Sequence, residues 1–164
     1  MIDTLLIYLL NIGLFLVSIL IIYQDFKDRA VYWWLYLLFF VILLVFSIYH
    51  NPVELVNRVI NLSFLVIQYL GVILYYWIKT RKSRLILNEE FGLGDAIFLV
   101  SIALTIETTF FIYLYLGGLI TSILWCIIMY LKNKELPTIP LAGILTLVFL
   151  LIQLTDYVSM DKIY

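Results

Sequence analysis

The stretch LLIYLLNIGLFLVSILIIY, residues 5–23, decides the fold class. It carries no charge, and Asn11 and Ser18 are its strongly polar side chains. As a helix it would run about 28 Å, close to the ~30 Å hydrocarbon thickness of a bilayer. It shows no period-two alternation, so a transmembrane β-strand is disfavoured. A helix satisfies its own backbone in lipid, and a helix is therefore expected.

Working outward, five more apolar segments follow: Val31 to Tyr49, Val59 to Ile78, Gly94 to Ile106, Phe110 to Leu131 and Ile139 to Leu154. The fourth of the six is short, roughly two-thirds of a full span. Of the 164 residues, 65% are hydrophobic and 13% charged, about half the charged share of a soluble domain. That composition excludes a soluble globular protein, a disordered chain and a typical nucleic-acid binder. The expectation is all-α: one integral-membrane domain over residues 1–164, a bundle of six transmembrane helices with the fourth span short. The first segment does not read as a signal peptide. Asp3 precedes it without Lys or Arg, and no small-x-small cleavage pattern follows.

Lys and Arg set the expected orientation. Lys27 and Arg29 follow span one, Lys79, Arg81, Lys82 and Arg84 follow span three, and Lys132 and Lys134 follow span five. Six spans put these eight of the ten basic residues on one face, leaving Arg58 and Lys162 on the other. The basic loops are then cytoplasmic and both termini outside. Trp33, Trp34 and Trp77 fall near span ends, where interfacial aromatics belong.

Acids are scarce, so their positions carry information. Asp25 follows span one and Asp95 opens span four, both at the cytoplasmic end by this topology. They meet at one depth if spans one and four are neighbours. Ionisable groups at membrane depth are costly and mark functional sites. The structural alternatives are pairing of Asp25 with Lys27 or Arg29, and an ordinary N-cap at Asp95. Gly92 and Gly94 precede Asp95, leaving room for a sharp turn and for close approach of another chain. Two adjacent carboxylates cannot both ionise readily and come to share a proton. The ionised one then acts as general base on water while the protonated one polarises a carbonyl. That is aspartic-protease chemistry, and it requires neither metal nor cofactor. His50 sits beside Asn51 and Pro52 in an outside turn, and Cys126 lies mid-span as a packing residue. Gly117 and Gly118 read as a close helix–helix contact.

Three motifs carry a resemblance to the type IV prepilin peptidases. Asp25-Phe26-Lys27-Asp28-Arg29-Ala30-Val31 resembles the family's Asp-x-Lys-x-Arg-x-Ile run. Gly92-Leu93-Gly94-Asp95 resembles its Gly-x-Gly-Asp motif, and Pro137-Thr138-Ile139-Pro140 its Pro-x-x-Pro entry to the last span. The order is the family's, and the match covers essentially the whole chain. There are departures: Tyr32-Trp33 stands for the usual Pro-Asn, and Ile97 for a usual Lys. The chain has neither the cysteines nor the length of the methylating members and is similar to the minimal, peptidase-only form. Presenilin-like proteases share Gly-x-Gly-Asp but are longer and carry Pro-Ala-Leu, where this chain has Pro140-Leu141-Ala142.

The resemblance implies an endopeptidase in the prokaryotic cell membrane with Asp25 and Asp95 as catalytic dyad. Lys27, Arg29, Gly92, Gly94, Pro137 and Pro140 would support it. The implied partners are the bilayer and a prepilin-like membrane substrate cleaved at its cytoplasmic leader. Two other readings of the residues are a non-catalytic membrane scaffold on the same fold and a small proton-coupled transporter. The transporter should show repeat symmetry, yet the short span occurs once.

Overall fold

The computed structural model describes residues 2–49, 53–80, 93–133 and 139–160. Within them the chain forms six helices and no strand: α1 (Ile2–Asp28), α2 (Trp33–Tyr49), α3 (Leu55–Thr80), α4 (Leu93–Thr105), α5 (Thr108–Asn133) and α6 (Leu141–Met160). Three contain stretches long and apolar enough to cross a membrane: Leu5–Asp28, Leu55–Lys79 and Thr108–Lys132. The other three hold shorter apolar stretches: Trp33–Tyr49, Gly94–Thr105 and Leu141–Leu154.

Several helix boundaries differ from the sequence reading, each for a local reason. Helix α1 continues past Tyr23 to Asp28, so Asp25 lies inside it. It ends where Arg29 adopts a left-handed backbone, φ 54°, and its N–H closes on the Asp25 carbonyl at 3.2 Å. Residues 29–32 make the connection to α2. Tyr32 N–H is tied to Gln24 Oε1 at 3.2 Å, and Leu35 N–H donates to the Tyr32 carbonyl at 3.0 Å. Helix α3 begins at Leu55, so Arg58 belongs to its first turn and not to a loop.

Helix α1 packs between α2 and α6, α2 also packs on α4, and α5 on α6. The short α4 lies among α2, α3, α5 and α6. Helices α1 and α4, whose adjacency was the condition for the two acids to meet, share no extended packing. Each instead packs against both α2 and α6. At the centre, Phe39 of α2 stacks on Phe98 of α4 at 5.2 Å and meets Phe149 of α6 edge-on at 5.7 Å. Such pairs contribute about 0.5–1.5 kcal/mol each beyond the area they bury. Leu14, Ile21, Leu35, Ile102, Phe111, Leu114 and Leu145 complete this core. Large apolar side chains cover the outside as well, for example Leu9, Ile12 and Leu16 on α1 and Ile67, Leu70 and Leu74 on α3. An apolar exterior of this kind is suited to lipid chains and not to water.

Helix α4 is terminated by a side chain. Asn61 of α3, fully buried, donates through Nδ2 to the carbonyls of Ala103 at 3.1 Å and Ile106 at 3.0 Å. Those carbonyls lie at the end of the helix, where no N–H of the next turn serves them. Thr108 Oγ1 donates to Asn57 Oδ1 at 3.0 Å and fixes the start of α5 against α3. The Gly117-Gly118 contact is as expected. A Cβ at Gly117 would lie 3.1 Å from Val148, and one at Gly118 would overlap Leu145.

Candidate functional site

The site forms where α6 begins. Pro140 is fully buried, and its carbonyl accepts the first bond of the helix from Ile144 N–H at 3.0 Å. The missing N–H of proline costs nothing at this position. The next three N–H groups lack intrahelical acceptors, as at any helix start. Leu141 N–H turns back to the Ile139 carbonyl at 2.9 Å. Ala142 N–H faces the carboxylate of Asp95 and acts on it. Gly143 N–H donates to Asp25 Oδ2 at 2.6 Å. Two acids seventy positions apart in sequence thus face adjacent amides of one helix start.

The carboxylates also act on one another. Asp95 lies within the field of the Asp25 charge, and the phenol of Tyr36 lies within the fields of both. Asp25 is buried, at 7% exposure, and Tyr36 at 4%. The partial positive charge at the start of α6 offsets negative charge on the pair. Among the described residues, burial, mutual electrostatics and adjacent donors make this cluster the site where polar chemistry concentrates.

Steric economy is visible around both acids. A Cβ at Gly94 would fall 2.9 Å from the Tyr36 ring. Gly94 is helical, and no described glycine has positive φ. The sharp turn expected there is absent at Gly94, and close approach is its reason. A Cβ at Gly143 would meet the Phe26 ring at 3.0 Å and Asp25 Oδ2 at 3.1 Å. The Phe26 ring meets Trp125 edge-on at 5.2 Å, so aromatic side chains from α1 and α5 wall this side.

The remaining motif residues divide. Arg29 ends α1, and its charge acts on Asp25. Lys27 is exposed; its ammonium donates to Tyr23 Oη at 3.2 Å and lies over that ring. It is therefore directed to its own helix and not to the carboxylates. Asp28 is exposed at the end of α1. Pro140 starts the helix that binds both acids, while Gly92 and Pro137 lie outside the described residues. Ile97 is half exposed on a different face of α4 and lines a groove with Phe40, Ala96 and Val100.

Sequence reasoning missed Tyr36, Ala142 and Gly143. Tyr36 is one of thirteen tyrosines and has no neighbouring motif. Ala142 and Gly143 contribute backbone, which no side-chain pattern advertises. The buried Pro140 was the available pointer, since proline at a helix entry is followed by free N–H donors. Among the described residues, no group of three or more His, Cys, Asp or Glu is placed to hold a metal ion. The chain matches no family model, no curated protein and no solved structure.

Proposed function

We propose that this chain is a multi-pass membrane aspartic endopeptidase that cleaves the cytoplasmic leader of a prepilin-like substrate. The observation that carries the reading is the convergence of Asp25 and Asp95 on Ala142 and Gly143 at the start of α6. Two coupled carboxyl groups can divide the roles of base and acid: one removes a proton from water, and the other hydrogen-bonds the scissile carbonyl. The N–H donors orient the pair, and the Tyr36 ring lies against Gly94 beside them.

The same reading makes all six helices spans, with both termini outside and the basic loops cytoplasmic. At 13 residues, α4 is about 20 Å long, roughly 10 Å short of the hydrocarbon core. With the Asn61-capped end near the outer surface, Asp95 then sits below the cytoplasmic surface. A substrate helix standing in lipid beside the bundle would present its leader junction there. In a Cys126→Ser background, single cysteines at Lys79 and Glu107 should label from opposite faces of sealed vesicles. Labelling of both from one face would exclude the six-span arrangement.

The direct test incubates the purified protein in liposomes with candidate prepilin-like substrates and sequences the new N-termini. A single cut between a basic leader and an apolar helix is expected. Intact substrates across the panel would favour a second reading, which the geometry also motivates. Both carboxylates cap a helix, and helix capping is a sufficient structural role in a non-catalytic membrane scaffold.

A further inference from the structure

At the end of the bundle opposite the two carboxylates, Arg58 borders a cavity of about 160 Å³. Phe40, Leu44, Ser47 and Ile48 of α2 and Leu104 and Thr105 of α4 form its other walls. A second cavity of about 370 Å³ lies along the same two helices, between Phe40 and Ala96, Ile97, Val100, Ser101 and Leu104. Phe40 and Leu104 border both, so the two form one groove with a cation at one end and an apolar floor.

Arg58 has no evident role in stability. It sits in the first turn of α3, where the helix dipole disfavours a cation. Its Nε is shut off from solvent and has no hydrogen-bond partner among the described residues. Glu54, one turn earlier, is exposed. A guanidinium in this setting is suited to a phosphate, which accepts two parallel N–H bonds from it.

The length of the groove selects the rest of the ligand. From Leu104 to Ala96 is eight residues, about 12 Å along α4. That is close to half of the ~30 Å hydrocarbon core, the depth of one leaflet. A crossing helix would need the full thickness. An acyl chain descending from a headgroup at Arg58 needs one leaflet only. We propose that the α2–α4 groove is a binding site for a single anionic glycerophospholipid, its phosphate on Arg58 and one acyl chain between Phe40 and Val100. A net negative headgroup is favoured because it brings no second cation to Arg58.

The test uses delipidated full-length protein in detergent, titrated with phosphatidylglycerol and followed by native mass spectrometry. One bound lipid per chain is expected to outlast the others as detergent is raised. Arg58→Gln should weaken that binding at least tenfold, Arg58→Lys by less, and Val100→Trp, which fills the floor, at least tenfold with Arg58 intact. Diacylglycerol with the same chains should bind at least tenfold more weakly. Glycerol phosphate, lacking chains, should not compete. Equal binding of phosphatidylglycerol and diacylglycerol, or wild-type affinity in both Arg58→Gln and Val100→Trp, would overturn the site. Should Arg58→Gln fail to fold, Val100→Trp and the two ligand comparisons decide alone.

Discussion

Asp25→Asn and Asp95→Asn should each reduce cleavage of a prepilin-like substrate by about a hundred- to ten-thousand-fold, the range for loss of a general acid or base. The structure explains why folding should survive. An asparagine carbonyl oxygen can still accept the N–H that Gly143 gives to Asp25, and can still face the N–H of Ala142 beside Asp95. It cannot take a proton from water. The thermal midpoint should therefore stay near that of the wild type while activity falls. The double variant should be no less active than either single one, because groups that act as a unit are strongly non-additive. Asp28→Asn, exposed at the end of α1, should keep most activity. Substantial cleavage by Asp95→Asn, or equal loss in Asp28→Asn, would remove the dyad. A scaffold would show the opposite dissociation, with assembly intact in both asparagine variants.

The second large effect concerns packing. Gly118→Leu should destabilise the protein by about 3 kcal/mol or more, at or beyond the upper end of ordinary overpacking costs. Even a Cβ at this position would overlap Leu145, which is 2% exposed and enclosed by the core. The helices α5 and α6 would have to separate, and α6 carries the donors for both acids. Activity should fall together with thermal stability. Leu145→Ala in the same chain should restore part of both, since the two residues are in contact and their effects couple. Independent, additive losses in the two single variants would show that α5 and α6 do not meet at this point.

Much of this arrangement was legible in the residues. Apolar run length and the absence of alternation identified the six helices, and scarcity of charge singled out Asp25 and Asp95. Gly117-Gly118 announced a close contact because few other reasons place two glycines within an apolar helix. Boundaries were less legible. Tyr23 looked like the end of α1 because polarity begins there, but helix geometry continues until Arg29 turns left-handed. Hydropathy reports where lipid would end, and dihedral angles report where the helix ends. The neighbour relation was not legible for a similar reason. Two acids at one depth can meet if α1 and α4 touch, whereas here they come together at the start of α6. Backbone donors carry no sequence signature, so Ala142 and Gly143 could not be found by residue type. Tyr36 was hidden among twelve other tyrosines.

The capping of both acids by α6 has a consequence for biogenesis. Synthesis proceeds from the N-terminus, so on the proposed six-span topology α1 and α4 would enter the bilayer before the segment that faces their carboxylates exists. Through that interval neither Asp25 nor Asp95 has its amide partner, and no assembled pair is present in the nascent chain. Arrival of Pro140 and the turn after it completes the pair in one step. On that topology a ribosome-bound intermediate ending before residue 140 would be a membrane protein with two unsatisfied acids, a client for insertion factors that shield polar groups.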